Sequence, residues 1–149
     1  MTVERATEAA SRTPYWHEYA DSYTMIDVTD RVVLDIGADC GSSAVWFIQH
    51  GAKRVVCYSL EEQQCHDERI EWHGEWKGEY IPADVLKVDC EGCECMLTPE
   101  VIEKYEQWYI AVHTFAPCYA DLKGYLLSHG KLIYMTPDRR EELFGHTKG

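Results

Sequence analysis

The length and composition of the sequence are those of an acidic globular protein. Of its 149 residues, 46% are hydrophobic and 27% are charged, a balance typical of a folded chain rather than a disordered one. The formal net charge of −12 would repel a phosphate backbone, so nucleic acid is not an expected partner. No apolar run approaches the roughly 20 residues that a bilayer-spanning helix needs, so no membrane partner is expected either.

The N-terminal region has no feature of an export signal. It lacks the basic start and apolar centre of a signal peptide, so we expect a cytoplasmic protein. The whole chain contains seven cysteines, an odd number, and we expect them to be reduced thiols. The absence of a linker or repeat predicts a single domain over residues 1–149, with residues 1–30 forming a partly helical lead-in.

From Arg31 onward, short apolar runs alternate with segments of helical character. The predicted strands cover residues 32–36, 54–59, 70–76, 84–89, 108–114 and 131–135. The predicted helices run from Ser42 or Ser43, either of which could cap the helix, to Gly51, and then over residues 60–70, 98–107 and 119–130. The tail TPDRREELFGHTKG shows no clear strand pair. This alternation predicts an α/β fold, with a mainly parallel twisted sheet and helices on both faces.

In such sheets, ligands bind beyond the carboxyl ends of the strands, which directs attention to the turn DIGADCGSS after the first strand. Gly37 and Gly41 would let the backbone approach a ligand closely. A dinucleotide fingerprint would need glycine at Asp39 and at Ser42, and a P-loop lysine is absent. The acids of this turn would repel a pyrophosphate but tolerate a ligand that carries an amine or a sulfonium.

Two motifs resemble those of a known enzyme family. VVLDIGADCGSSAVWFIQHGAKRVVCYSLEE resembles the first motif and second strand of S-adenosylmethionine-dependent methyltransferases, and its form D-I-G-A-D-x-G is similar to the FkbM family. About 50 residues later, ADVLKVDCEGCE is similar to that family's strand-four motif, hydrophobic-K-hydrophobic-D-x-E-G-x-E. The resemblance covers roughly residues 25 to 135. It implies a Rossmann-like class I methyltransferase fold, trimmed in its middle region, that transfers a methyl group to an oxygen of a sugar or another small acceptor.

The resemblance also implies which residues hold the methionine end of S-adenosylmethionine. Asp35, Gly37 and Gly41 would line that part of the cofactor site. Asp39 would either contact the cofactor's amino group or cap the following helix.

For the nucleoside end of the cofactor, the sequence departs from the family pattern. The acid that usually binds both ribose hydroxyls is replaced by Ser59. Glu61 or Glu62 would reach the ribose instead, unless both are simply first-turn acids of the next helix. In HGE, Glu75 would accept from the adenine amino group, with one of the two tryptophans of IEWHGEW stacking on the ring.

Methyl transfer to an alcohol requires alignment of the reactants and a base that accepts the hydroxyl proton. Asp89 and Glu91 after strand four, and His113 after strand five, are the candidate catalytic residues. A histidine at that place is also compatible with a purely structural role. A carboxylate pair could bind a divalent cation instead, but we assign no metal here.

Three cysteines within DCEGCEC raise a second hypothesis, a zinc or thiol-redox site at Cys90, Cys93 and Cys95. A zinc site usually contains a second C-x₂-C unit, and the sequence has none. A redox C-x-x-C usually opens a helix of a thioredoxin-like unit, which is not the context here. The carboxylates explain the segment better.

The alternative from another functional class is a methyltransferase-like fold that no longer catalyses and serves as a binding or scaffold protein. Ser59 and the short middle region favour it. The acceptor is not encoded in short motifs. A truncated sheet edge with apolar strand residues would favour a homodimer.

Overall fold

The computed structural model describes residues 2–10, 12 and 14–147. The elements follow the chain in this order: α1 (Val3–Ala10), α2 (Pro14–Ser22), a 3₁₀ turn (Tyr23–Met25), β1 (Val32–Ile36), α3 (Ser42–Gln49), β2 (Arg54–Tyr58), β3 (Ile70–His73), β4 (Val85–Val88), a second 3₁₀ turn (Cys93–Met96), α4 (Pro99–Ile102), β5 (Gln107–His113), α5 (Tyr119–His129), β6 (Lys131–Met135) and β7 (Glu141–His146). None of the described helices has the length and apolarity required to span a lipid bilayer.

The seven strands form one mixed sheet in the order β3-β2-β1-β4-β5-β7-β6. The first five strands of that order are mutually parallel, whereas β7 is antiparallel to both β5 and β6. The prediction of an α/β fold with a mostly parallel sheet is therefore confirmed. Buried apolar runs such as VVLDI and VLKV suit strands that are covered on both faces.

The C-terminal strand corrects the expectation that the tail forms no strand pair. After β6, the carboxylate of Asp138 accepts hydrogen bonds from the Thr136 hydroxyl (2.7 Å) and the Arg140 amide (3.1 Å), which closes a turn. The chain then returns as β7, which inserts between β5 and β6. Leu143 and Phe144 in β7 are fully buried, on opposite faces of the sheet.

Two hydrophobic clusters cover the two faces of the sheet. On one face, α3 packs between the sheet and the N-terminal helices, where the Tyr19 and Tyr23 rings stack at 4.7 Å and Trp16 contacts Trp46 at 4.9 Å. The other cluster contains Tyr105 and Leu126 beside the inner strands. The residues before β1 therefore extend the core.

Three helix predictions need correction. Residues 60–69 contain no helix, because the segment offers only Leu60 and Cys65 as apolar residues, and the Leu60 side chain is exposed. The segment after Thr98 forms a single helical turn rather than ten helical residues. Neither Ser42 nor Ser43 caps α3; its N-cap is Gly41, with a φ of 117°.

A buried ion pair joins the centres of β1 and β4. Asp35 and Lys87 lie opposite each other in the strand register, and the Lys87 Nζ is 2.8 Å from the Asp35 Oδ1. The Ser43 hydroxyl donates to the Asp35 Oδ2 at 2.6 Å, and the Lys87 ammonium donates to the Gly37 carbonyl at 2.9 Å. Burial alone would lower the pKa of Lys87, but the charges of Asp35 and Asp89 outweigh it and raise that pKa. Lys87 therefore stays charged inside the sheet.

We predict that Lys87→Met lowers the free energy of unfolding by about 3–5 kcal/mol, because Asp35 would then be a buried charge without a counter-charge. The matched control is Arg69→Met, which removes a partially exposed ion pair with Asp67 and is expected to cost less than about 1 kcal/mol. Urea unfolding measures both. Equal losses in the two variants would contradict the buried-pair account.

Candidate functional site

A cavity of about 460 Å³ opens at the carboxyl ends of the parallel strands. Its lining residues come from the loops after β1, β2 and β4, from the end of β5, and from α2 and β7: Glu18, Tyr19, Gly37, Asp39, Ser59, Leu60, Glu61, Asp89, Cys90, Glu91, His113 and Glu141. Six of these residues are carboxylic acids, and none of the described lining residues is a lysine or arginine. The cavity therefore favours a cationic ligand and disfavours an anionic one.

The two sequence motifs meet at the floor of this cavity. Gly37 has a φ of 83°, and a Cβ atom built on it would overlap the carbonyl oxygen of Asp89. The Asp89 amide in turn donates to the Ile36 carbonyl at 2.9 Å. Only glycine permits both this backbone conformation and this close approach. The glycine turn and the acidic bend after β4 are thus direct neighbours.

On the β2 side, the Ser59 hydroxyl is engaged by the protein backbone. It donates to the Asp39 carbonyl at 2.5 Å and accepts from the Glu61 amide at 3.0 Å. Glu61 lines the cavity, whereas Glu62 is exposed and does not. Burial raises the pKa of Asp39, and the neighbouring acids Asp89 and Asp35 raise it further against the opposing charge of Lys87.

The alternative role of Asp39 as a helix cap is wrong, because α3 has no side-chain cap. Asp39 adopts a left-handed backbone conformation, with a φ of 50°, in the turn before the helix. Its side chain remains available for the cavity.

Three predicted site residues do not line this cavity. Asp35 lies beneath it, enclosed in the ion pair with Lys87. Gly41 is the N-cap of α3 and faces the Trp72 ring. A Cβ atom built on Gly41 would lie 3.6 Å from the nearest atom of that ring. Glu75 is an exposed residue of the loop after β3.

The two tryptophans suggested for adenine stacking serve the fold instead. Trp76 is buried in one of the hydrophobic clusters, where its indole N–H donates to the Glu79 carbonyl at 2.9 Å. Trp72 packs against the other cluster.

His113, at the end of β5, is held by the buried carboxylate of Glu94. The Glu94 Oε2 accepts from the His113 amide at 2.9 Å and contacts its ring Nδ1 at 3.0 Å, while Oε1 accepts from the Gly92 amide at 2.8 Å. Burial would lower the pKa of His113, but the hydrogen bond to Glu94 and the charge of Glu94 raise it overall. The sequence analysis gave Glu94 no role, although it is the last acid of the D-x-E-G-x-E motif.

Glu141 joins this group from β7, a strand that the sequence did not reveal. Its carboxylate, that of Asp89 and a ring nitrogen of His113 all lie within 4.8 Å of one another. Burial raises the pKa of Glu141 to about 9, with further contributions from the charge of Asp89 and a hydrogen bond to it. Glu91 lines the same cavity from the bend after β4.

Four of the seven cysteines form disulfides, which corrects the expectation of reduced thiols. Cys90 pairs with Cys93, and Cys95 pairs with Cys118, with Cα–Cα distances of 5.5 and 5.4 Å. The 3₁₀ turn after Gly92 and the start of α5 bring these residues together. Because the sulfur atoms of all three cysteines of DCEGCEC are in disulfides, two with each other and that of Cys95 with Cys118, they do not form a zinc site in this structure.

Comparisons with known proteins find similar sequences in two viruses. No family model matches the sequence. The chain is 36% identical over 139 residues to "Uncharacterized protein 65" of Sulfolobus islandicus filamentous virus, covering 85% of this chain and 87% of that protein. It is 37% identical over 144 residues to "Uncharacterized protein 158B" of Sulfolobus islandicus rod-shaped virus 1, covering 87% and 90%. The chain belongs to the same family as these two proteins.

Solved structures share the fold at low sequence identity. A "putative hemolysin" of Streptococcus thermophilus has a TM-score of 0.62 at 13% identity, and the match covers 88% of this chain and 63% of that one. A "ribosomal RNA methyltransferase, putative" of Plasmodium falciparum has a TM-score of 0.61 at 15% identity, covering 93% and 97%. A 1,6-didemethyltoxoflavin-N1-methyltransferase of Burkholderia thailandensis, solved with S-adenosylhomocysteine, has a TM-score of 0.52 at 16% identity, covering 98% and 88%. Structures described as methyltransferases, one of them with bound S-adenosylhomocysteine, therefore share this fold.

We predict that the denatured, unreduced protein reacts with three equivalents of Ellman's reagent, at Cys40, Cys57 and Cys65, and with seven after reduction. Cys118→Ser should raise the unreduced count to four, because it releases Cys95. A count of seven in the unreduced wild-type protein would show that the cysteines are thiols.

Proposed function

We propose that the protein is an S-adenosylmethionine-dependent methyltransferase with a Rossmann-like class I fold, which transfers a methyl group to an oxygen of a small acceptor. The observation that carries this proposal is the direct contact between the Gly37 turn and the Asp89 bend at the floor of one acidic cavity. The two motifs that resemble the FkbM family therefore lie where a single ligand would touch both. The methyltransferases among the structural neighbours support the same class.

The charge of the cavity supports this choice of cofactor. Its acids suit a ligand with a sulfonium and an ammonium group, and Gly37 leaves its backbone open to close approach. Asp39 would accept from the amino group of the cofactor. Glu61 would accept from the ribose hydroxyls in place of Ser59, because a carboxylate can accept two hydrogen bonds at once. The cofactor itself supplies an activated methyl group on sulfur.

The chain's own residues would align the acceptor and remove its proton. Asp89 and Glu91 line the cavity and can orient an acceptor hydroxyl through hydrogen bonds. His113 would accept the proton at Nε2, since Glu94 engages Nδ1 and would stabilise the resulting imidazolium.

The same charges select the acceptor class. A phosphorylated or nucleic-acid acceptor would bring negative charge toward six carboxylic acids. A neutral sugar, a polyol or a cationic small molecule avoids that repulsion. We therefore propose a small, non-anionic acceptor.

One observation favours the alternative of a non-catalytic binding protein. The Ser59 hydroxyl, which replaces the ribose-binding acid of the family pattern, is engaged by the backbone of its own loop. In that case the cavity would still hold the cofactor, but no acceptor would be methylated.

We predict that S-adenosylhomocysteine binds the protein with one-to-one stoichiometry in a calorimetric titration. Glu61→Gln should weaken binding about tenfold, or about 1.4 kcal/mol, because a neutral amide is a poorer acceptor for the ribose hydroxyls. Glu62→Gln is the matched control, since it removes the same charge one residue away from the cavity, and it should change affinity less than about twofold. Equal effects of the two variants would argue against a ribose contact at Glu61.

We predict that methyl-labelled S-adenosylmethionine transfers its label to members of a panel of neutral sugars and polyols, but not to their phosphate esters. Labelled phosphate esters would contradict the acceptor class that we propose. Binding of the cofactor without transfer to any member of a broad acceptor panel would favour the binding-protein alternative.

A further inference from the structure

The three residues Asp89, His113 and Glu141 converge at the edge of the sheet where the cavity opens. We propose that they form a binding site for one first-row divalent transition-metal cation. This site goes beyond the proposed function, because a cation can bind there whether or not the cavity holds S-adenosylmethionine.

The sheet fixes the positions of these residues. His113 at the end of β5 and Glu141 at the start of β7 are directly paired in the antiparallel register, and Asp89 follows the adjacent strand β4. Their ligand atoms lie within 4.8 Å of one another. A cation bound at about 2.0–2.2 Å from nitrogen and oxygen holds its ligands at most about 4.4 Å apart. A small rotation of the carboxylates therefore closes the site without backbone movement.

A buried imidazole and a buried carboxylate oxygen point to a ligand independently of the acidic cluster. His113 is only 6% exposed, and its Nδ1 is taken by Glu94, so Nε2 is the nitrogen that remains for a ligand. The Glu141 Oε1 is buried and has no hydrogen-bond partner among the described residues. Buried polar atoms normally have a partner, and a cation would provide one for both.

Glu94 gives His113 the environment of a metal-binding histidine. Metal-ligating imidazoles usually donate their second ring N–H to a carboxylate, which fixes the ring and increases its basicity. Glu94 is fully buried and is itself held by the Gly92 amide and the His113 amide. This carboxylate is therefore rigid, and it leaves the other ring nitrogen for the cation.

The ligand set indicates the kind of metal. Two carboxylates and one imidazole suit Mn²⁺, Fe²⁺, Co²⁺ or Zn²⁺ better than Mg²⁺ or Ca²⁺, which favour sites made only of oxygen. Three protein ligands also leave coordination positions for water or for an acceptor oxygen. If the proposed function holds as well, a bound cation would lower the pKa of an acceptor hydroxyl and replace His113 as the means of activating it.

Mn²⁺ and Co²⁺, added separately to the metal-free protein, are the probes that test the site. Loss of the free Mn²⁺ electron paramagnetic resonance signal counts bound ions, and visible absorption of Co²⁺ reports nitrogen and oxygen ligation. We expect one ion per chain, with Mg²⁺ at equal concentration failing to displace it.

Variants distinguish binding by the three proposed ligands from nonspecific attraction of the cation to an acidic cavity. Glu141→Gln and Asp89→Asn should each weaken Mn²⁺ binding about 100-fold or more, and Glu94→Gln about 10–100-fold through His113. Glu18→Gln is the matched control, because Glu18 lines the same cavity outside the ligand set, and it should change affinity less than about threefold. Thermal unfolding of each variant verifies that it is folded.

The site is overturned if the folded wild-type protein shows no saturable Mn²⁺ or Co²⁺ binding, or if Glu18→Gln weakens binding as much as Glu141→Gln. Calorimetry with S-adenosylhomocysteine on the same preparations keeps the two proposals apart. If the protein binds S-adenosylhomocysteine but neither metal, only the metal-site proposal is contradicted. If it binds the metals but not S-adenosylhomocysteine, only the cofactor proposal is contradicted.

Discussion

The cavity depends on how closely the backbone of Gly37 approaches that of Asp89. The two residues follow adjacent parallel strands, and no side chain at position 37 would permit the contact. Beneath it, Lys87 neutralises Asp35 and donates to the Gly37 carbonyl, so a buried charge pair supports the turn from inside the sheet. The acid of β1 thus acts on the cavity through the backbone of the turn and not by touching a ligand.

Above this floor, negative charge determines what the cavity can hold. The carboxylic acids belong to α2, to the turns after β1, β2 and β4, and to β7. The described lining residues include no lysine or arginine. Such a surface favours cations. The two proposals use different parts of it: a sulfonium cofactor between the Gly37 turn and Glu61, and a metal cation at the end of β5 and the start of β7. Both are compatible with the methyltransferases that share the fold.

Much of the sheet could be predicted from the sequence because its parallel strands are buried on both faces, and runs such as VVLDI and VLKV stand out from their surroundings. The motifs after β1 and β4 could be placed at one edge for the same reason. The strand β7 could not be predicted, since its sequence EELFGH mixes two acids with only two large apolar residues. Glu141 was missed with it.

Contacts between residues that are distant in the chain could not be predicted from the sequence either. The pairing of Cys95 with Cys118 requires the start of α5 to lie beside the bend after β4, which no spacing rule encodes. The ion pair between Lys87 and Asp35 was not predicted either, because it depends on the register between β1 and β4. The FkbM resemblance, the single domain, the cytoplasmic location and the homodimer stay predictions.

A crystal structure of the protein grown with S-adenosylhomocysteine would test the central claim most directly. The account predicts ligand density that touches the backbone of Gly37, runs toward Glu61 with its ribose, and leaves the sulfur atom facing Asp89 and His113. Density at another surface, or a cavity filled by protein side chains in crystals soaked at saturating ligand, would contradict it.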